Sequence, residues 1–323
     1  MAGTVHFAGH DFAAEDIVLD ARRAATGLME LGASGKRVAL LLRNDVTFLT
    51  ASEAARWAGA VTLPINWHLT ADDVAYILRD SSTHILIAHA DLWARISNDI
   101  PADLRARLTV VLVDTPPAIC AAYRVAPTLA KPPTDLVLWE ALIADHTPCQ
   151  SEAQVQSYPL IYTSGTTGRP KGVQRLNAAR PAPVAYDAFF APRMCTLLAT
   201  PLYHSAPNRF LQGTFQAGGS LVLPVRFGAE DMLTQIAAHC VTTMFVVPAI
   251  FQRLLLLHEE IRTRCDLSSL QHVVVAGAPC PAELKRAMID WWGPVIYEYY
   301  GSTETSALPF ATSADALAKP GTV

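Results

Sequence analysis

Charge is scarce in this sequence. Asp, Glu, Lys and Arg make up 17% of its 323 residues, the formal net charge is −4, and the basic residues are scattered. That balance argues against a nucleic-acid partner or an anionic-membrane surface, since both call for clustered cations. Paired cysteines are missing as well. Cys120, Cys149, Cys195, Cys240, Cys265 and Cys280 stand far apart with no C-x-x-C spacing. This suits reduced thiols in a cytosolic chain better than a disulfide framework or a zinc site. Met1 to Ala14 has neither the basic start nor the apolar middle of a secretory signal. Arg43, Asp45, Glu53 and Arg56 interrupt the most apolar stretch, so no uncharged run is long enough to cross a bilayer. These absences predict a cytoplasmic protein without a membrane span.

Two catalytic signatures are also lacking. The ten histidines form no H-E-x-x-H pair, so a zinc hydrolase is unsupported. Ser164 lies in T-S-G-T, not in the G-x-S-x-G of a nucleophile elbow.

Apolar residues, at 51%, are abundant enough for two packed α/β units in a chain of this length. Ile17, Val18, Ala21, Ala25, Leu28 and Leu31 recur at helical spacing and predict a helix over 15–31, ended by Gly32. Arg37 to Leu42 reads as a buried strand, followed by a helix over 45–58 with Asn44 or Asp45 as cap. Strands are expected at 60–65, 84–88 and 108–113, with a helix opened by Thr70 between the first two. Five prolines in 115–135 suggest a loop excursion. After a strand at 158–162 the alternation resumes, with strands at 196–200, 220–225, 242–247, 272–276 and 295–300 separated by helices. The fold class expected is α/β, two αβα subdomains with mostly parallel sheets. The subdomains are expected at about 48–195 and at 1–47 plus 196–310.

In such sheets ligands bind at the carboxyl ends of the strands. Four polar stretches follow predicted strands: 163–171, 201–205, 277–279 and 301–304. The first belongs to Tyr162-Thr163-Ser164-Gly165-Thr166-Thr167-Gly168-Arg169-Pro170-Lys171-Gly172. Glycines bend it tightly, while hydroxyls, backbone N–H groups and one lysine suit a polyanion. It is not a Walker A loop, because Pro170 precedes Lys171 and Gly172 follows it.

This string resembles the phosphate-loop signature of the adenylate-forming superfamily, which includes acyl-CoA synthetases, luciferases and nonribosomal peptide adenylation domains. The similarity runs in order from about Asp11 to Val323. It implies that Thr163, Ser164, Gly165, Thr166, Thr167, Gly168 and Lys171 embrace the β- and γ-phosphates of ATP. One departure is Gln174-Arg175, where the family often has a histidine. Tyr299-Tyr300-Gly301-Ser302-Thr303-Glu304 is similar to the family's Y-G-x-T-E element. There the resemblance implies adenine stacking for Tyr300, α-phosphate contact for Thr303 and Mg²⁺ binding for Glu304, with Thr163 on the metal side. Tyr299 and Gly301 join that nucleotide element, and Glu298 stands where many members have Asn or Gln against the adenine. Gly277, Ala278 and Pro279 match the nucleotide wall, where minimal side chains admit a flat base.

Pro201-Leu202-Tyr203-His204 resembles the family's P-L-[FY]-H, which places His204 near an acid substrate. A carboxylate needs no base at neutral pH, so the task implied is positioning. Amino-acid-activating relatives carry an aspartate here to pair the substrate ammonium. Tyr203 to Ala206 supplies no carboxylate, and an unpaired buried ammonium is costly, so an apolar acid is expected. Ser205, Phe210, Phe215, Gly301 and Leu308 fall in stretches expected near the acyl pocket.

The resemblance thus implies an ATP-dependent carboxylic acid–CoA ligase acting through an acyl-adenylate, of fatty-acyl or related apolar-acid type. Lys171, Thr303, Glu304 and His204 are its implied catalytic group. ATP, Mg²⁺ and CoA are its implied cofactors and co-substrates, and a homodimer is left open. Family members continue beyond the point matching Val323, so the chain is read as the N-terminal part of such an enzyme, lacking the C-terminal domain and inactive alone. The other readings are an acyl-AMP ligase that loads a carrier protein and a non-catalytic nucleotide- or acid-binding fragment.

Overall fold

The computed structural model describes residues 3–133, 135–150, 158–163, 168–175, 189–304 and 306–322. Its strands, in chain order, are β1 (Thr4–Phe7), β2 (His10–Ala13), β3 (Arg37–Leu41), β4 (Val61–Pro64), β5 (Ile85–His89), β6 (Thr109–Val113), β7 (Val137–Leu138), β8 (Ile161–Thr163), β9 (Lys171–Val173), β10 (Cys195–Leu197), β11 (Ser220–Leu223), β12 (Thr243–Val246), β13 (His272–Val275), β14 (Ile296–Ser302) and β15 (Ser306–Ala311). The chain divides into two compact units. One comprises Glu15–Ala178 with Tyr203–Ser205; the other comprises Met1–Ala14, Ala179–Leu202 and Ala206–Val323.

The first unit is built on a five-stranded parallel sheet of order β4-β3-β5-β6-β7. Its strands are short, apolar and covered on both faces, as parallel sheets require. Leu41, Leu63, Ile77, Leu86, Leu92 and Leu112 are among the side chains of one core cluster. Burying each contributes about 1.5–3 kcal/mol. The helix Ala14–Glu30 buries Ile17, Ala21, Ala24, Ala25 and Leu28 and opens on Glu15 and Asp16, whose charges suit its N-terminus. Asp45 caps the helix Val46–Trp57 by accepting from the Phe48 N–H at 2.9 Å, and Thr70 caps Ala71–Asp80 through the Asp73 N–H. A separate antiparallel ribbon pairs β8 with β9.

The second unit is an eight-stranded sheet of order β15-β14-β13-β12-β10-β11-β1-β2, parallel except for the edge pairs β1–β2 and β14–β15. Leu197, Met244, Val246, Phe251, Val273 and Trp292 belong to its core.

Most expected elements lie within one to three residues of their sequence positions, and three differences have clear causes. The subdomain boundary expected at 47/48 falls at 14/15, and the one expected at 195/196 falls at 178/179. Residues 15–47 stay with the five-stranded sheet because β3 pairs in parallel with both β4 and β5, as in Val38↔Thr62 and Val38↔Ile85. The expected loop excursion over 115–135 contains helices Pro117–Tyr123 and Pro127–Ala130. Their prolines occupy first-turn positions, where the missing N–H costs nothing. The β1–β2 hairpin and β15 are additional strands. Four-residue strands such as β1 and β2 carry too little pattern to be read locally.

Candidate active site

In the eight-stranded unit, two of the expected stretches follow neighbouring strands. β13 and β14 run parallel with Val275 opposite Glu298, so Gly277–Pro279 and Tyr300–Glu304 leave the sheet at the same end. Gly277, Ala278 and Pro279 are exposed. Gly277 has φ +85°, a left-handed conformation that excludes most side chains. Along β14 the side chains alternate: Ile296 and Glu298 are buried on one face, Tyr297 and Tyr299 half-buried on the other. A register shift between Tyr299 and Gly301 then breaks the pairing with β15, and such irregularities re-aim the side chains beside them. Tyr300 is left 73% exposed, a flat ring presented at the strand end. Glu304 is exposed and Thr303 half-buried beside it. One carboxylate with neighbouring hydroxyls is a hard-oxygen donor set, of the kind Mg²⁺ takes when phosphate and water complete its sphere. Among the described residues, no group of three or more His, Cys, Asp or Glu forms a metal cage.

Glu298 departs from its expected role at the adenine. It is 3% exposed and its carboxylate forms an ion pair with Lys285, on the helix Ala282–Trp292. A carboxylate turned into the core and neutralised there is withdrawn from the exposed strand end. Phe210 differs in the same way. It is 0% exposed, with the rings of Phe190 and Phe245 at 5.4 and 5.7 Å, and is a core side chain rather than an exposed pocket wall. Phe215 is buried too, and Leu308 lies on β15.

In the five-stranded unit, Thr163 and Lys171 are directly paired partners across the β8–β9 ribbon. The two ends of the candidate phosphate loop are therefore held side by side by main-chain pairing. Gly168 and Lys171 are exposed; Ser164, Gly165, Thr166 and Thr167 lie outside the described residues. Gly172 is needed for a local reason, because a Cβ there would meet the Tyr162 ring at 3.0 Å. The Tyr162 hydroxyl donates to Asp80 at 2.5 Å, and burial together with that charge raises its pKa.

His204 and Tyr203 also belong to this unit, with ring centroids 4.6 Å apart. Tyr203 is buried, and His204 keeps solvent access although protein crowds one side of its ring; Ser205 opens the helix Ser205–Gln216. That crowding shifts the His204 pKa downward, which favours the neutral imidazole. A neutral ring can orient a carboxylate by donating one hydrogen bond, in keeping with the positioning task.

Charge is also buried near these strand ends, which no local pattern announces. Arg43, just beyond β3, donates to both oxygens of Asp91, just beyond β5, at 2.9 and 2.7 Å. The Thr115 hydroxyl donates to Asp91 at 2.8 Å. The guanidinium lies over the rings of Trp67 and Tyr123, at 5.2 and 4.8 Å. Beside it His89 Nε2 lies 2.8 Å from Asp45 Oδ2. Lys285 was likewise missed. Its signal was a cation on the apolar stripe of a helix, matched by a carboxylate at an inward position of a neighbouring strand.

Comparison with known proteins shows the family of the chain. A family model of AMP-binding enzymes matches residues 5–323. A feruloyl-CoA synthase from Amycolatopsis sp. is 30% identical over 289 residues, covering 88% of this chain and 52% of that protein. A 2-succinylbenzoate–CoA ligase from Bacillus cereus is 26% identical over 284 residues, covering 87% and 51%. The chain thus spans about half the length of these curated relatives. Among solved structures, an amide bond synthetase from Marinactinospora thermotolerans matches with a TM-score of 0.77 at 22% identity, over 98% of this chain and 60% of that one. The O-succinylbenzoate coenzyme A synthetase of Bacillus subtilis, in complex with AMP, gives a TM-score of 0.74 at 21% identity over 98% and 60%. The folds agree over nearly the whole chain, and the family model spans almost all of it: the chain belongs to the AMP-binding, adenylate-forming enzymes.

Proposed function

We propose that this chain carries the nucleotide side of an enzyme that activates a carboxylic acid with ATP and passes it to the thiol of CoA. The observation that carries the reading is the pair of neighbouring strand ends on β13 and β14. A turn of minimal side chains and an exposed tyrosine ring bracket a place for a flat base, and Thr303 and Glu304 follow within four residues. Nucleotides bind at such strand ends in open α/β sheets. Thr163, Ser164, Gly165, Thr166, Thr167, Gly168 and Lys171 are assigned to the β- and γ-phosphates. The pairing of Thr163 with Lys171 supports that assignment, because it closes the loop's base.

In the first step a carboxylate oxygen of the substrate attacks the α-phosphorus. The bond from that phosphorus to the bridging oxygen breaks, and pyrophosphate leaves with the electron pair. No proton moves, so the protein's task is orientation and charge neutralisation. Lys171 faces the charge that grows on the leaving pyrophosphate. Thr303 donates to the α-phosphate, and neutral His204 orients the attacking carboxylate. Glu304 would hold Mg²⁺, which when bound neutralises phosphate charge. In the second step the thiolate sulfur of CoA attacks the acyl carbon and AMP departs.

The acid is assigned an apolar body with an aromatic ring. The two relatives are named for a feruloyl and a succinylbenzoyl substrate. The eight-stranded unit presents a line of rings leading to the strand end, with Phe245 and Tyr299 centroids at 6.4 Å and Tyr299 and Phe310 at 5.4 Å. Among the described residues, no helix is long and apolar enough to cross a membrane.

The test is calorimetric titration of the chain with Mg-ATP, with and without an aryl acid. Saturable binding that Tyr300→Ala weakens at least tenfold is expected. Absence of any nucleotide binding, or binding indifferent to Tyr300 and Glu304, would overturn the assignment.

A further inference from the structure

One buried ammonium in the eight-stranded unit ties together three segments. Lys285 sits on the helix Ala282–Trp292 and is 2% exposed. Its Nζ forms an ion pair with Glu298 on β14 and donates to the Thr322 carbonyl at 3.2 Å. Glu298 lies two residues before Tyr300, so the charge contact fixes the strand from which the Tyr300–Glu304 loop departs. The third segment is the Lys319–Thr322 turn, closed by the Thr322 N–H to the Lys319 carbonyl at 3.1 Å, which the ammonium thus connects to the strand leading into the Tyr300–Glu304 loop.

Local packing does not explain this arrangement. The helix Ala282–Trp292 otherwise buries Met288, Ile289 and Trp292, and an aliphatic side chain at 285 would continue that stripe. Replacing a buried ion pair by apolar residues of similar volume is often neutral or stabilising, so such a pair is weak evidence for stability and better evidence for a fixed geometry. Near Lys285, Ala282, Arg286, Leu317 and Pro320 line a cavity of ≈ 130 Å³. The Lys285 ammonium is thus a polar tie at the edge of this cavity, in addition to the Ser313 hydroxyl's bonds to the Ile296 main chain.

We propose that Lys285, acting through Glu298, is a positioning residue: it sets the Tyr300–Glu304 loop and couples that loop to the Lys319–Thr322 turn. The proposal rests on the nucleotide reading of the strand ends. It places the Tyr300–Glu304 loop and residues 319–322 in one cooperative unit, so that ordering either one orders the other.

The test compares the wild-type chain with the double variant Lys285→Met/Glu298→Leu. By hydrogen exchange without ligand, amides of 299–304 and 319–322 should lose protection together, at least tenfold, while β13 and the helix 282–292 keep theirs. Unchanged protection in the folded double variant overturns the proposal. In a Mg-ATP titration, the double variant should melt no lower than wild type yet bind at least tenfold more weakly. Lys285→Arg, which keeps the charge, should stay within about threefold of wild type. Equal affinity in the double variant overturns the proposal. Failure of the wild type to bind overturns the nucleotide reading instead, and the ligand-free exchange still decides the coupling. Should the double variant not fold, wild-type exchange with and without Mg-ATP decides. Protection rising at both 299–304 and 319–322 supports the coupling, and protection confined to 277–304 sinks it.

Discussion

The two units bury charge at comparable depth and use it differently. In the five-stranded unit, Asp91 accepts from both Arg43 nitrogens and from Thr115, while Asp45 accepts from the Phe48 N–H and is held against His89. Each carboxylate there has several close hydrogen-bond partners at its own strand end. In the eight-stranded unit, Glu298 meets the ammonium of Lys285, and the strand ends beyond it present Tyr300 and Gly277 outward. One unit ties these strand ends together with buried charge, whereas the other keeps its charge behind the ends and leaves them exposed. A buried ion pair thus has no fixed meaning. A densely bonded network ties one unit's parts together, whereas the Lys285–Glu298 pair is proposed to transmit position.

Asp91→Ala is expected to have the largest effect. It strands the Arg43 guanidinium in the core, and removing one partner of a buried pair costs about 3–5 kcal/mol. Denaturant unfolding should show that loss, with most of it recovered in Arg43→Met/Asp91→Leu. A loss below about 1 kcal/mol would mean the network is not a scaffold. Asp45→Ala comes next, at about 2 kcal/mol, because it removes a helix cap and the His89 partner in one change. If its cost matches that of an ordinary cap alone, His89 is satisfied from elsewhere.

The pattern-bearing parts of the fold were legible. Thr70, and the pair Asn44 or Asp45 of which Asp45 is the cap, are legible because side-chain acceptors before an apolar helical repeat have a local meaning. The strand-end positions of Gly277–Pro279 and Gly301–Glu304 followed from polar stretches placed after predicted strands. What could not be read is pairing over distance. The place of β3 in its sheet depends on β5, whose Ile85 pairs with Val38 from 47 residues further along the chain. The role of Glu298 depends on a lysine on another element, so a carboxylate near an expected adenine site looked like a ligand when it is a structural partner. Phe210 illustrates the same limit, since an apolar ring beside a pocket and one inside a core carry identical sequence signals.

A smaller effect sharpens the comparison on the side of the eight-stranded unit. The helix Ser313–Ala318 starts with a capping box in which Thr312 accepts from the Asp315 N–H and Asp315 accepts from the Thr312 N–H, at 3.2 and 2.9 Å. Thr312→Ala should cost about 1 kcal/mol in thermal or denaturant unfolding. By the coupling through Lys285 it should also lower exchange protection at 319–322 before it touches β12. A uniform loss across the unit would argue that this end has no separate behaviour.

The last prediction concerns acid, where the units should differ in the order of their responses rather than in size. Burial pushes the Asp91 carboxyl up, but hydrogen bonding and charge from Arg43, with the Thr115 hydroxyl, outweigh it and hold the pKa below 3.8. A carboxylate with a lowered folded pKa contributes stability above its unfolded value, near 3.9, and loses it as pH falls through the folded value. The five-stranded network should therefore survive until the pH is below about 4. His272 in the other unit is half-buried among Phe189 and Tyr297, and burial lowers its pKa from 6.5. For a lowered histidine the unfolded chain takes the proton first, so its contribution is complete above about 6.5 and declines below it, toward the folded value. His272→Phe keeps the ring contacts and removes the proton site. It should flatten the stability loss of the eight-stranded unit between pH 6.5 and the folded pKa, while the network around Asp91 responds only later. Following the His272 ring and Thr115 methyl signals as the pH is lowered would check the order, and simultaneous loss of both units at mildly acidic pH would erase the distinction between the two.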